Sequence, residues 1–231
     1  MTGHDRGPPQ ATPRTFPGQL DGDAWPPYHV GPRVPVLGPR FKAALLYAME
    51  KHANDFRKGS NIPYVAHLFA VCGLVLELGG TENEAMAAML HDLLEDHADE
   101  VTREDLVQRF GPEVAAMVAM CTDTPPEYRG PPEPKPDWHV RKWPYVERIR
   151  HETYPLCRVV LADKLHNTRS MVMDYRVEGD AIWDRFNAGK ADQLRYHRAL
   201  VEAFQDAGAP AHIVMELGVL VGELETSDTK K

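Results

Sequence analysis

The sequence predicts an all-α fold on three observations. Apolar residues recur at helical spacing after Arg40, two capping boxes mark helix starts, and no alternating polar–apolar run bounded by turns occurs. Phe41, Ala44, Leu45, Ala48, Met49 and His52 fall at i, i+3, i+4, i+7, i+8 and i+11, which defines an amphipathic helix. A loop from Phe56 to Ile62 leads to Pro63, a residue suited to the first turn of a helix that runs to Leu78 and stops at Gly79-Gly80. Thr81-x-x-Glu84 opens a third helix through Ala- and Met-rich sequence to about Asp96. Thr102-x-x-Asp105 opens a fourth, ended by Gly111, and Pro112 starts a fifth that ends near Cys121. Helical pattern resumes at Tyr145 to Glu152 and Leu156 to Met173. Ala181 to Ala207 and Ala211 to Glu225 read as two more helices, separated by Gly208 and Pro210.

Two stretches interrupt this pattern. Met1 to Gly38 is dense in Pro and Gly, including Pro8-Pro9 and Pro26-Pro27, and reads as a proline-rich arm whose Phe16, Trp25 and Tyr28 suit packing across a surface. Thr124 to Pro144 is too long and proline-rich for an ordinary connector and is expected as a loop that lines a site. The organisation expected is an arm over 1–38, a domain over 39–207, and a C-terminal helix and tail over 208–231.

Composition narrows the class. With 231 residues, 43% hydrophobic and 26% charged, the chain is too polar for a membrane protein and too apolar for a disordered one. There is no signal-like apolar segment near Met1, and no apolar run reaches the roughly 18 residues of a span, so no membrane partner is expected. A formal charge of −8 disfavours nucleic acid, whose affinity rests on phosphate neutralisation, but a small anionic substrate can be met by a local basic patch or a metal. Cys72, Cys121 and Cys157 form neither a disulfide framework nor a C-x-x-C pair, which predicts a cytoplasmic location. Homo-oligomer formation is left open.

The chemistry is concentrated in Leu90-His91-Asp92-Leu93-Leu94-Glu95-Asp96. On a continuous helix His91 and Glu95 share a face, with Asp92 and Asp96 beside them. Three carboxylates near a helix C-terminus oppose the macrodipole and call for a compensating positive charge. His67 sits one turn into the second helix, and Asp163 interrupts the apolar run Val159-Val160-Leu161-Ala162-Asp163-Lys164-Leu165, where an unpaired aspartate is costly. Two histidines and two aspartates are a mixed N/O donor set suited to manganese or iron as well as zinc, with positions left for water or substrate.

Arg57-Lys58…Pro63-Tyr64-x-x-His67, His91-Asp92-x-x-Glu95-Asp96 and Leu161-Ala162-Asp163-Lys164-Leu165-x-Asn167 together resemble the HD-domain metal phosphohydrolases. Within them the chain is most similar to the RelA/SpoT-type (p)ppGpp hydrolases, especially the small single-domain alarmone hydrolases, over about residues 41–207. The resemblance implies an HD-domain helical bundle, a bound manganese or other divalent transition metal, and removal of the 3′-pyrophosphate of guanosine tetra- or pentaphosphate. Carried over residue by residue, it implies His67, His91, Asp92 and Asp163 as metal ligands and Glu95 and Asp96 as the acidic pair that handles the attacking water. Arg57 and Lys58 then match a basic lip that contacts the nucleotide, and Asn167 a residue near the ribose.

Outside the matched blocks, Arg185 and Lys190 are candidate phosphate contacts, Trp183 and Phe186 candidate core, and His52 and His166 candidate packing or supporting groups. His97 departs from the family, which commonly has a small residue such as Thr there. Only a short segment follows Ala207, which predicts a hydrolase without a nucleotide-synthesising domain. Two other functions compete: the same metal site acting on the 2′-phosphate of NADPH or on a deoxynucleotide, and a non-catalytic nucleotide sensor. Decay to a sensor would first remove ligands or acids, and every such position is filled.

Overall fold

The computed structural model describes residues 37–124, 135–154 and 156–226. The expected arm therefore lies outside the described residues except for Leu37 and Gly38, as does the middle of the second proline-rich stretch. The described chain is helical, with no strand; an isolated antiparallel bridge pairs Phe56 with Pro63.

The central element is α3 (Glu82–Leu90), which packs against α1 (Pro39–Lys51), α2 (Val65–Glu77), α6 (Pro112–Cys121) and α8 (Arg158–Glu178). Every α3 residue from Glu84 to Leu90 is buried, so the helix has no wet face, and small Ala85, Ala87 and Ala88 let its neighbours approach. The capping box is formed on both sides, Thr81 with Glu84. Glu84 is buried and carries a second partner, Arg158 on α8, whose Nη1 donates to Oε1 at 2.5 Å. This bond ties the start of α3 to α8, the two elements that frame the site.

At the end of α2 the chain reverses at Gly79, whose φ of +75° is natural only to glycine. A Cβ on Gly80 would sit 2.7 Å from the Val75 carbonyl oxygen, which explains the paired glycines. After α4 (Leu93–Asp96), α5 (Arg103–Phe110) begins at the Thr102–Asp105 capping box. The chain then passes through α7 (Trp138–Arg150) and α8, a 3₁₀ segment over Gly179–Arg185, α9 (Lys190–Asp206) and α10 (Ala211–Thr226). Trp183 is buried with Met171, Val172, Ile182 and Leu224 in a second small core, and Phe186 packs against it, as expected of both aromatics.

Several expectations are corrected. The third helix does not run unbroken to Asp96; it turns at His91-Asp92 and resumes as the single-turn α4. Pro63 precedes the second helix, occupied by the bridge to Phe56. The stretch Ala181 to Ala207 divides at 186–189, before α9. The expected loop ends by residue 137, because Asp137 caps α7 by accepting from His139 N (2.8 Å) and Pro144 lies inside that helix. The bond that Pro144 cannot donate belongs to the carbonyl of Val140, a residue 64% exposed and open to water, while Trp138, Tyr145, Val146 and Ile149 bury the opposite face.

Candidate metal centre

Three elements converge. His67 stands on the first turn of α2, His91 and Asp92 at the turn between α3 and α4, and Asp163 on the second turn of α8. His67 Nε2 lies 3.2 Å from His91 Nε2, 3.3 Å from Asp163 Oδ1 and 3.6 Å from Asp92 Oδ2. His91 Nε2 lies 2.7 Å from Asp92 Oδ2 and 3.6 Å from Asp163 Oδ1. A tetrahedral metal with bonds of about 2.0–2.1 Å sets its ligand atoms about 3.3–3.4 Å apart; His67, His91 and Asp163 come together near that spacing, and Asp92 Oδ2 stands beside both histidines. The turn that breaks α3 makes this possible by letting adjacent residues, His91 and Asp92, face one point.

The donors are oriented from behind. His91 Nδ1 is 2.8 Å from the Ala88 carbonyl, which only accepts, so Nδ1 carries the proton and Nε2 points inward. His67 Nδ1 is 2.8 Å from His166 Nδ1, and burial first, then the charges of His67 and Arg57, pushes His166 down to about 4, leaving it neutral. Tyr64 Oη donates to Asp92 Oδ2 at 2.5 Å. Lys164 Nζ and Asn167 Nδ2 donate to the two oxygens of Asp163, at 2.7 and 2.5 Å.

The electrostatics match a site built for positive charge. Burial opposes ionisation of Asp163, but Lys164, His67 and His91 overcome it and hold the carboxyl well below the usual range. Burial likewise opposes charge on Asp92, and His91 with the bonds from both histidines outweighs it, again downward. His91 is driven the other way: burial disfavours its charge, yet Asp92 and Asp163 hold it well above the ordinary histidine value. Two carboxylates thus recruit a proton onto an imidazole whose free nitrogen faces them, the place a cation would take.

A cleft of ≈ 290 Å³ lined by Asn54, Asp55, Phe56, Tyr64 and Asp96 opens beside this cluster. Asp96 is exposed toward the cleft but crowded by protein on its other sides; that enclosure, then Asp92 and Glu95, pushes its carboxyl up to about 7. Glu95 pairs with Lys135 (Nζ–Oε1 2.6 Å). Arg57 Nη2 donates to Asn167 Oδ1 at 2.7 Å, so the basic lip connects through Asn167 to Asp163. Lys58 lies over the Phe186 ring, 5.9 Å from its centroid, and Arg185 packs along Gly59. Arg185 also pairs with Asp174 and Glu178, and Lys190 with Asp180. Sequence reasoning assigned no role to Tyr64 or Lys164, although both stand inside the quoted motifs; Lys135, in proline-rich sequence, carried no signal.

Fold and cluster define the class: the chain belongs to the HD-domain family, whose model matches residues 44–194. That membership implies a divalent metal, and the donor set fits one. Among similar proteins, the chain is 34% identical over 141 residues to the "Probable guanosine-3′,5′-bis(diphosphate) 3′-pyrophosphohydrolase" of Synechocystis, covering 55% of this chain and 16% of the relative. It is 30% identical over 155 residues to "GTP pyrophosphokinase rsh" of Brucella ovis, covering 62% of this chain and 19% of the relative. The chain thus spans under a fifth of these curated relatives. A solved structure of a metazoan SpoT ortholog, described as hydrolysing ppGpp, is similar with a TM-score of 0.63 and 25% identity, covering 80% of this chain and 96% of that one. A Listeria monocytogenes structure is similar with a TM-score of 0.57 and 27% identity, covering 67% and 96%.

Proposed function

We propose that this chain is a metal-dependent hydrolase that removes the 3′-pyrophosphate of guanosine tetra- or pentaphosphate, giving GDP or GTP and pyrophosphate. The observation that carries this is the convergence of His67, His91, Asp92 and Asp163 beside a cleft edged by Asp96, in a fold similar over 80% of the chain to a protein described as a ppGpp hydrolase. These four residues hold the metal; the mixed N/O set suits manganese or iron as well as zinc, and manganese is the metal that the family resemblance implies. Such a cation supplies Lewis acidity at the phosphoryl group and a nucleophile at neutral pH.

The chain's own residues do the rest. Asp96 accepts the proton of the attacking water, and a carboxyl near 7 is matched to that task at neutral pH. The water oxygen bonds to the phosphorus nearest the ribose as its proton passes to Asp96, the bond from that phosphorus to the 3′ oxygen breaks, and the 3′ oxygen takes a proton from solvent, to which Asp96 returns the one it accepted. Glu95, fixed by Lys135, orients the water. Tyr64 and Lys164 position Asp92 and Asp163. Arg57, braced by Asn167, meets the nucleotide with Lys58. Arg185, packed along Gly59, and Lys190 stay the further candidate phosphate contacts, each held beside acidic side chains. The catalytic unit is residues 39–207, and the buried, free cysteines suit a reducing cytoplasm.

The test is to incubate manganese-loaded protein with ppGpp, NADPH and deoxynucleotides and identify products by mass spectrometry. GDP and pyrophosphate from ppGpp are expected. Intact ppGpp beside cleaved NADPH or deoxynucleotide would reject the substrate and leave the metal site standing.

A further inference from the structure

A second cluster lies across the Tyr64 ring from the first. Asp55 Oδ2 is 2.8 Å from His52 Nδ1 and 2.9 Å from His97 Nε2, and those two nitrogens are 3.4 Å apart. The three atoms belong to three different places in the chain: the C-terminal end of α1, the loop that follows it, and the residue after α4. Their separations, 2.8 to 3.4 Å, fall within the 2.7 to 3.6 Å spanned by the first cluster and bracket the roughly 3.3 Å edge of a tetrahedral site.

The donors are also held ready. The His52 ring is buried and fixed on two sides, stacked on Tyr64 (centroids 4.8 Å, 21°) and edge-on to His97 (4.7 Å, 81°). Its other nitrogen, Nε2, is buried with no hydrogen-bond partner, so Asp55 alone holds the ring proton, at Nδ1, and a cation bound there would shift that proton to Nε2. Asp55 is partly open and lines the cleft that Asp96 also lines. Two imidazoles and one carboxylate with an exposed side form the donor set of an open zinc-type site.

We propose that His52 Nδ1, Asp55 Oδ2 and His97 Nε2 form a second divalent-cation site of the zinc type, separate from the His67–His91–Asp92–Asp163 centre. The cleft side leaves its remaining position to water or to a phosphate oxygen of an anionic ligand. Tyr64 connects the two sites, stacking on His52 with its ring and bonding Asp92 with its hydroxyl.

The test is zinc stoichiometry. Full-length protein is stripped with chelator, loaded with zinc, passed through a desalting column and assayed by elemental analysis, with circular dichroism as a check on folding. Two zinc ions per chain are expected, falling to one in His97→Ala and in Asp55→Asn, with the remaining ion lost when Asp163→Ala is added. Asp55 is partly open and Asp55→Asn keeps its shape, so this variant decides the matter if His97→Ala fails to fold. One zinc in the unaltered chain, or two retained in Asp55→Asn, would overturn the proposal and identify the cluster as a hydrogen-bonded brace. Two zinc ions in Asp163→Ala alone, with one still lost in Asp55→Asn, would reject the first ligand set and support the second site.

Discussion

The two halves of α8 place similar charges in opposite settings. In its first half Asp163 and Lys164 are buried together, their side chains 5% and 14% exposed, with Asn167 closing the group. In its second half Arg169 and Arg176 reach α10 and pair with Glu216 and Glu223 at 2.6 Å, all four side chains at least 37% exposed. Distances hardly differ, 2.7 Å against 2.6 Å, so distance does not separate the halves; desolvation does. Water screens the outer pairs, whose expected worth is about 0–1 kcal/mol each. The inner charges have lost water and are tolerable only because each is matched, which makes any vacancy among them costly and makes the spot receptive to a cation.

Lys164→Met breaks the inner half most directly. In metal-free protein it leaves Asp163 without its nearest cation, and a loss of about 3–5 kcal/mol is expected by denaturant unfolding. In metal-loaded protein the loss should shrink, because the bound cation takes over the compensating role; an equal loss in both forms would mean that Asp163 does not face the metal. Arg176→Ala supplies the smallest effect. It should shift stability by at most about 1 kcal/mol in either form and leave turnover unchanged, and a larger shift would erase the distinction between the halves.

Legibility in the sequence divides along similar lines. Local signals located elements to the residue: the capping boxes at Thr81 and Thr102 act over three residues and begin α3 and α5 as read. Asp163 was legible because a charge in an apolar run must be explained. Pro144 misled, since its breaking effect depends on whether Val140 faces water, a tertiary fact. The turn at His91-Asp92 was hidden for the same reason: nothing in Leu90 to Asp96 breaks a helix, and the doublet is bent to a shared point by packing. His52, Asp55 and His97 could not be joined, because the contact from His52 to His97 spans 45 residues and depends on how α1 sits beside α4.

The central claim is a division of labour, in which four donors hold the metal and Asp96 moves the proton. It is tested by the pH dependence of kcat/KM for ppGpp in manganese-loaded protein and its Asp96→Asn variant, with metal content measured on the same samples. Because enclosure and acidic neighbours raise the Asp96 pKa and only its ionised form accepts a proton, activity should climb as pH rises through a limb at or below 7, the bound cation drawing it downward. The variant should keep its manganese, lose about 10²–10⁴-fold in kcat/KM and lose the limb. An Asp96→Asn protein that retains both its metal and the full rate with the limb intact would contradict the account.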